Sequence, residues 1–297
     1  MVAVPSLFCD PSTQLFDVTT LNLLGSGRVG QTLATLWQRQ ATFQIQDVRT
    51  RTLASAQQAC ATIGAGTPVD ALAAMRPAEV WMLAVPDAQI SSAAQALADA
   101  AAAWPRGAQQ PSPIVFHCSG AQSAASLAPL AALGWRTAST HCILSFATPE
   151  AAIAQFAGTA CALEGDAEAR AALEPAFKAI GAQCFAVASE DKLLYHAAAV
   201  FATNFLPVLQ AVAEDAWQAT GVPAHLLPQL RTSLLRNAVD NITRLGPAGA
   251  QTGPAQRGDL PAIAKQAQVV RNWDPLAGEA YQALSALALR LAGHSAP

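Results

Sequence analysis

The sequence contains little charge and very little lysine. Charged residues make up 12% of the 297 residues, the formal net charge is −3, and lysine occurs only at positions 178, 192 and 265. Proteins that bind nucleic acid carry a basic excess, so we expect no nucleic-acid partner. The hydrophobic fraction of 52% excludes a disordered chain. A catalytic lysine has few available positions.

Three other features are missing. The six cysteines include no Cys-x-x-Cys pair, so we expect buried thiols rather than a disulfide scaffold. No run approaches the roughly 18 uninterrupted apolar residues of a membrane span. The beginning of the chain lacks the basic region of a secretory signal. We therefore expect a cytoplasmic protein with no membrane partner.

Short apolar runs alternate with helix-length segments over the first part of the chain. They predict strands at 21–24, 43–48, 79–85, 114–117, 160–164 and 183–187, preceded by an arm of about 18 residues. Strands alternating with helices indicate βαβ units and a parallel sheet. From Ser189 onward, amphipathic segments predict helices at roughly 190–219, 224–245, 261–271 and 275–293. The prediction is an α/β fold, with a doubly wound N-terminal domain over 1–188 and an all-α domain over 189–297.

A glycine-rich segment, Gly25-Ser26-Gly27-Arg28-Val29-Gly30, follows the first predicted strand and opens a helix. In that context it predicts a dinucleotide site. Gly25 permits a tight turn, Gly27 allows a pyrophosphate to approach the backbone, and Gly30 allows close packing of helix on strand. The free N–H groups of the helix N-terminus favour the phosphates.

The end of the second strand favours NADP over NAD, although NAD stays possible. An acidic residue about 20 positions after the glycines would bind a ribose 2′-hydroxyl, whereas an arginine accommodates a 2′-phosphate. The loop here contains Thr50 and Arg51, and Asp47 lies within the strand, two residues too early. Ala84-Val85-Pro86 ends another strand at the carboxyl edge, where cofactors lie in open α/β sheets.

Six segments together resemble a known family. They are GSGRVG, LAVPDAQI (83–90), FHCSGAQSAASL (116–127), STHCILSF (139–146), LYHAAAVFATNFL (194–206) and QTGPAQRGD (251–259). In this order they resemble Rossmann-like proteins with a C-terminal DUF2520 domain, similar to pyrroline-5-carboxylate reductases, ketopantoate reductases and the 6-phosphogluconate dehydrogenase-like group. The resemblance implies an NAD(P)-binding Rossmann domain, a helical domain often used for dimerisation, and an active site between them. It implies no particular substrate.

Hydride transfer needs a group that exchanges the substrate's proton. His196 is our candidate, because an imidazole side chain commonly exchanges protons near neutral pH. His196 also shares a predicted helical face with Asn204. Lys192 lies one turn earlier on this stripe, whereas Tyr195 points roughly 100° away and is a weaker candidate. The alternative is that this helical face is purely structural and that its polar groups hydrogen-bond to one another.

The other candidates surround the substrate. His141 and Ser119 are expected near the reacting carbon, with Ser119 able to hydrogen-bond substrate or nicotinamide. His117 is either a second functional imidazole or a capping histidine of the core. Asn204 and Arg257 are expected to anchor the substrate, since an arginine can grip a carboxylate bidentately. Alternatively, Arg257 pairs with the aspartate at 259 in a simple helix break.

The pairs His117-Cys118 and His141-Cys142 suggest a zinc site only superficially. Adjacent strand residues point to opposite faces, so neither pair supplies two ligands to one ion, and we predict no metal. The predicted function is an NADP-dependent oxidoreductase acting on a small polar, anionic carbonyl, imine or alcohol. The alternative is a non-catalytic NADP-binding sensor or scaffold. In either case we expect a homodimer formed through the apolar helical domain.

Overall fold

The computed structural model describes residues 19–104 and 112–295, and within them the strands form one sheet in the order β3-β2-β1-β4-β5-β6-β7-β8. The strands are β1 (Thr20–Leu24), β2 (Gln44–Arg49), β3 (Thr67–Val69), β4 (Val80–Leu83), β5 (Ile114–His117), β6 (Arg136–Cys142), β7 (Ala160–Gly165) and β8 (Gln183–Ala186). β7 runs antiparallel to β6, and all other neighbours are parallel. The predicted doubly wound, mainly parallel sheet is confirmed.

Two of these strands, β3 and β6, were not predicted. β3 has three residues, too few for a pattern. β6 reads RTASTHC, and its buried positions hold threonine, serine and alanine instead of large apolar residues. The predicted arm, residues 1–18, lies outside the described residues.

The helices divide between two units, the first ending at Ala199 and the second beginning at Val200. The first contains α1 (Arg28–Arg39), α2 (Leu53–Ile63), α3 (Ile90–Ala101), α4 (Ala128–Ala131), α5 (Pro149–Gln155), α6 (Ala167–Ala179) and α7 (Lys192–Ala199). The second contains α8 (Phe205–Ala219), α9 (Leu227–Ala250), α10 (Leu260–Trp273) and α11 (Pro275–Leu291). The sequence placed the boundary at 188/189, before α7. In the structure α7 groups with the sheet.

The first unit has a hydrophobic core on each face of the sheet. Successive residues of β4 serve opposite faces, so that Trp81 belongs to one core and Met82 to the other. Trp37 of α1 is fully buried, packs edge-on against Phe116 of β5, and donates its Nε1–H to Ala176 O at 2.9 Å. This packing fixes α1, and with it the glycine loop that precedes α1, on the sheet.

One helical run, Ser189–Ala219, is long and apolar enough to cross a membrane by length and composition, with a mean hydropathy of 1.3. A single such run is weak evidence for a membrane span, because helices of soluble proteins pass the same test of length and composition. Its first turn contains Lys192, whose ammonium is buried and hydrogen-bonded to Ser119 O on the sheet side of the first unit. This part of the run is therefore built into the α/β unit.

In the second unit, α10 and α11 pack closely at Gly278, where a Cβ would lie 2.6 Å from Arg271 Cα. α9 is broken at Gly246, whose φ is 71°, immediately before Pro247. The break falls where the sequence predicted the helix to end. Asp274 caps α11 by accepting the N–H of the residue three positions on.

Candidate functional site

The carboxyl ends of β1, β4, β5 and β6 meet at one edge of the sheet, because these four strands are parallel. The glycine loop follows β1, the segment starting at Ala84 follows β4, Ser119 lies just beyond β5, and His141 is near the end of β6. Cofactors bind outside this edge in open α/β sheets. One edge thus carries both the predicted cofactor residues of the first unit and its predicted catalytic residues.

The three glycines of the loop have different roles. Gly25 has φ +82°, and a Cβ there would lie 2.6 Å from Ala84 O and 2.7 Å from Val85 Cγ1. A Cβ at Gly30 would lie 2.8 Å from Ala84 Cβ, so this glycine lets α1 approach the end of β4. A Cβ at Gly27 would meet nothing within 4 Å. The loop therefore needs two glycines for its own packing, and Gly27 leaves open space beside the helix.

The beginning of α1 fits a phosphate. Gly27 is the N-cap and supplies no side-chain acceptor, so the first N–H groups of the helix remain available. The Ser26 hydroxyl is buried with no hydrogen-bond partner among the described residues. Arg28 is exposed at the first helical position. Open space at Gly27, uncapped N–H groups and a nearby cation are what a dinucleotide pyrophosphate requires.

The loop after β2 contains the residues that would discriminate between NAD and NADP. Asp47 is 1% exposed, and its carboxylate is bound by Arg76 through the backbone N–H at 2.7 Å and the guanidinium at 2.5 Å. It is therefore occupied and cannot reach a ribose hydroxyl. Arg51 is exposed, and Thr50 Oγ1 lies 2.7 Å from Ser55 Oγ near the start of α2. This loop offers hydroxyls and an arginine, and no free carboxylate.

Ser119 forms the turn after β5. Its hydroxyl donates to Asp87 Oδ2 at 2.6 Å and accepts the N–H groups of Ala121 and Gln122 at 3.2 and 3.0 Å. Asp87 directly follows Pro86, so this bond joins the end of β4 to the loop after β5. The Ser119 hydroxyl is thus committed to the loop, and a direct bond from it to substrate would require breaking the bond to Asp87.

His117 is a structural residue. It is 0% exposed, its Nδ1 accepts the N–H of Ser119 at 3.2 Å, and its Nε2 contacts Ser123 O at 3.1 Å. Burial lowers the pKa of His117 from 6.5 to about 4. Of the two roles left open by the sequence, the structure supports the capping histidine of the core.

Lys192 joins three elements at the site. Its Nζ donates to Ser119 O at 2.9 Å and to Ser139 Oγ, and Ser139 Oγ also donates to Ser119 O at 3.2 Å. Burial lowers the pKa of this ammonium. Lys192 therefore ties α7 to β6 and to the loop after β5. It was not among the predicted site residues.

Two histidines and a tyrosine surround the residue after Ser119. A Cβ on Gly120 would lie 2.5 Å from His196 Nδ1 and 2.8 Å from His141 Nε2. The two imidazole centroids are 5.7 Å apart, and Tyr195 Oη lies 2.8 Å from His141 Nδ1. The structure thus brings the predicted residues His141 and His196 together. Gly120 is required because any side chain there would collide with both rings.

Tyr195, ranked as a weaker candidate because it lies roughly 100° from His196 on the helix, is nevertheless part of the cluster. Lys192, Tyr195 and His196 occupy positions i, i+3 and i+4 of α7, and all three face inward, whereas Leu193 and Leu194 are 72% and 74% exposed. The sequence places these residues around the helix, but only the docking of α7 decides which arc of 100° or more faces the sheet.

Burial controls the electrostatics of this cluster. It lowers the pKa of His141 to about 4, with further lowering by the neighbouring His196 and Lys192. It raises the pKa of Tyr195, which keeps its phenolic proton at neutral pH. At pH 7, His141 is therefore a neutral imidazole in contact with a neutral phenol.

The cysteines of the described residues are free thiols. Cys142 and Cys161 face each other across β6 and β7 with 3.3 Å between their sulfurs, and burial raises the pKa of Cys118 to about 12. Within residues 19–104 and 112–295, no group of three or more potential ligands could hold a metal ion.

The remaining predicted residues, Asn204 and Arg257, belong to the second unit. Asn204 ends a π-helical turn, Val200–Asn204, so the regular α-helical spacing that placed it on the face of His196 does not apply. Arg257 is exposed and forms no ion pair with Asp259. Asp259 instead caps α10 by accepting the N–H of Ala262 at 3.1 Å. The alternative Arg257–Asp259 pair is therefore absent, and Asp259 serves as a helix cap.

Family comparisons agree with this architecture. The Rossmann-like domain family matches residues 16–141, and DUF2520, a domain of unknown function, matches residues 159–288. The chain is a Rossmann-like protein with a C-terminal DUF2520 domain. The DUF2520 match begins within the sheet and includes β7 and β8, so this family extends across the boundary between the two units.

Three solved structures illustrate the similarity. A Thermotoga maritima protein has a TM-score of 0.71 and 22% identity over 92% of this chain and 98% of its own. A pyrroline-5-carboxylate reductase from Coxiella burnetii has a TM-score of 0.55 and 16% identity over 93% and 99%. A reductive aminase from Aspergillus terreus, bound to NADPH and ethyl-5-oxohexanoate, has a TM-score of 0.56 and 18% identity over 94% and 89%.

Identities this low establish a shared fold and nothing finer. No curated protein matches the sequence significantly. The Rossmann-like DUF2520 chain therefore has the fold of NAD(P)-dependent oxidoreductases, and its reaction has to be argued from its own residues.

Proposed function

We propose that this protein is an NADP-dependent oxidoreductase that transfers a hydride between nicotinamide and a small polar carbonyl, imine or alcohol. The observation that carries the proposal is the single sheet edge at which the glycine loop and the His141–His196 cluster both lie. A bound nicotinamide would supply or accept the hydride there. The similarity of fold to a reductive aminase bound to NADPH supports this class of reaction.

NADP is the proposed cofactor. Gly27 and the uncapped start of α1 would hold the pyrophosphate, with Ala84, Val85 and Pro86 lining the adjacent strand end. Thr50 and Arg51 would hold the 2′-phosphate that distinguishes NADP from NAD. The engagement of Asp47 by Arg76 supports this choice, because it removes the carboxylate that would favour NAD. NAD would then lack the carboxylate that usually hydrogen-bonds its ribose 2′-hydroxyl.

The chain's residues divide the chemistry between them. We assign proton exchange with the substrate to His196, whose Nδ1 is buried and has no partner among the described residues. His141 stands beside it at Gly120. Ser119 and Lys192 shape the loop that carries Gly120. For the substrate we propose an anionic group held by Arg257, whose guanidinium is exposed, with Asn204 as a second anchor.

A panel assay tests this function. Purified protein would be mixed with NADPH or NADH and with a panel of keto acids and cyclic imines, while loss of reduced cofactor is followed by absorbance. We expect substrate-dependent oxidation of NADPH, weaker with NADH. His196→Ala should retain NADPH binding and lose turnover. Tight NADPH binding with no oxidation across the panel would instead favour the sensor.

We further propose that the protein is a homodimer formed through its second unit. Large apolar side chains of this unit are exposed in the single chain, including Leu276 at 75%, Val269 at 67% and Val239 at 53%. A surface of this kind is usually covered by another chain. Light scattering coupled to size exclusion should give twice the 30.7 kDa chain mass. A monomer at micromolar concentration would contradict this assignment. We also propose a cytoplasmic location.

A further inference from the structure

The hydrogen bond between Tyr195 and His141 determines which nitrogen of His141 carries its hydrogen. Tyr195 Oη and His141 Nδ1 are 2.8 Å apart, and the two rings meet edge-on with centroids 5.5 Å apart. Either atom has the chemistry to donate. A neutral imidazole has a single N–H, so the direction of this bond fixes the other ring nitrogen as donor or acceptor.

The surroundings of the phenol favour donation from Tyr195 to His141. Among the residues that the structure describes, Tyr195 Oη has no hydrogen-bond partner other than His141 Nδ1. If His141 donated to it, the half-buried phenolic hydrogen would have no protein acceptor. If the phenol donates, its hydrogen is satisfied and Nδ1 is the acceptor. His141 then carries its own hydrogen on Nε2.

The second nitrogen of His141 supports the same direction. His141 Nε2 and His196 Nδ1 border the same point beside Gly120, at 2.8 and 2.5 Å from the position of a Cβ. His196 Nδ1 is buried without a partner, and an unpaired buried acceptor is more often tolerated than an unpaired donor. A hydrogen on His141 Nε2 facing this lone pair is complementary, whereas two facing lone pairs would repel.

We propose that Tyr195 is a positioning residue that holds His141 in the tautomer with hydrogen on Nε2, so that His141 serves as a neutral hydrogen-bond donor to the substrate. This inference rests on the proposed oxidoreductase function. As the substrate carbon receives hydride, the electron pair of its double bond moves to the oxygen or nitrogen. His141 Nε2–H stabilises that atom without giving up its hydrogen. The neutralising proton comes from Nδ1 of His196 in its cationic form, which returns to the neutral imidazole with a lone pair on Nδ1, and His141 is unchanged at the end.

The charge state of His141 agrees with this role. Burial, the adjacent His196 and Lys192 all lower the pKa of its imidazole, and Asp87 opposes them weakly, so the cation is not populated at pH 7. A neutral imidazole that loses its only hydrogen would become an anion, which burial disfavours. His141 can therefore donate a hydrogen bond, but it cannot serve as the group that repeatedly exchanges a proton.

Nuclear magnetic resonance of the full chain with 15N-labelled histidine reads the tautomer directly. We expect two-bond correlations showing hydrogen on Nε2 of His141, a signal identified by its loss in His141→Gln. Tyr195→Phe should give a mixture of tautomers. Tyr281→Phe is the matched control, because Tyr281 donates to Gln266 Oε1 at 2.6 Å in the second unit. Hydrogen on Nδ1 in the unsubstituted protein would overturn the proposal.

Kinetics provide a second readout with a reducible substrate from the panel. His141→Gln keeps an N–H donor and should retain activity within about tenfold, whereas His141→Ala should lose about a hundredfold in kcat. Equal losses in both variants would contradict the donor role.

Tyr195→Phe should lower kcat by about tenfold without moving the pH at half-maximal rate. A missing pH limb in this variant would make Tyr195 itself the acid. Absence of turnover in the unsubstituted protein would refute the oxidoreductase function, while the spectra still decide the tautomer.

Discussion

Replacing Gly27 by alanine should weaken NADPH binding and leave the fold intact. Gly27 has φ −73°, which alanine adopts freely, and its added Cβ would meet no atom within 4 Å. We therefore expect the free energy of unfolding to change by no more than about 1 kcal/mol, the cost of a poorer N-cap. The methyl group would occupy the side from which a pyrophosphate approaches. The Kd for NADPH should rise at least about tenfold, which corresponds to 1.4 kcal/mol.

Urea denaturation and fluorescence titration with NADPH would measure the two effects separately. Gly25→Ala is the contrasting variant, because its φ of +82° and a Cβ 2.6 Å from Ala84 O make the substitution strained. It should lower the free energy of unfolding by about 1–3 kcal/mol. Unchanged NADPH affinity in Gly27→Ala would refute the role of this loop, and so would a loss of stability equal to that of Gly25→Ala.

Three further predictions concern specificity, pH and stability. Arg51→Ala should raise the Kd for NADPH about tenfold and leave that for NADH unchanged in titrations, with the exposed Arg39→Ala as control. The pKa values of His117 and His141 fall from 6.5 to about 4 on folding, so the unfolded state binds more protons between these pH values. Stability measured with urea should therefore be constant above pH 6.5 and decrease as the pH falls to about 4, and a flat profile would contradict the buried neutral state. Lys192→Met removes a donor from two buried acceptors and should lower the free energy of unfolding by about 2 kcal/mol in the same assay.

The cofactor half of the site could be predicted from the sequence because its signal is local. The segment from Gly25 to Gly30 lies between a strand and a helix, and the structure gives each glycine the predicted packing. Asp47 lies within β2, where the sequence placed it, but the sequence could not show that Arg76 binds its carboxylate. Local spacing determines a turn and the beginning of a helix, and those are the features proposed to hold a phosphate.

The catalytic half depends on how α7 and β6 meet, and no local pattern encodes that contact. Lys192 and Tyr195 belong to the site through bonds to residues 73 and 54 positions away in the chain. The π turn ending at Asn204 changes the helical spacing and left no mark that we could interpret. β6 went unpredicted because its buried residues are small or polar, and its strand character comes from its neighbours.

Hydride transfer from the cofactor can be followed with NADPH deuterated at the transferring position of the nicotinamide. A substrate found in the panel would be reduced in a single turnover, and the product would be examined by mass spectrometry. We expect one deuterium in the product, on the carbon that was doubly bonded, and much less product with Gly27→Ala. A product without deuterium, or NADPH that binds tightly and is recovered unoxidised with every substrate, would contradict hydride transfer from the cofactor.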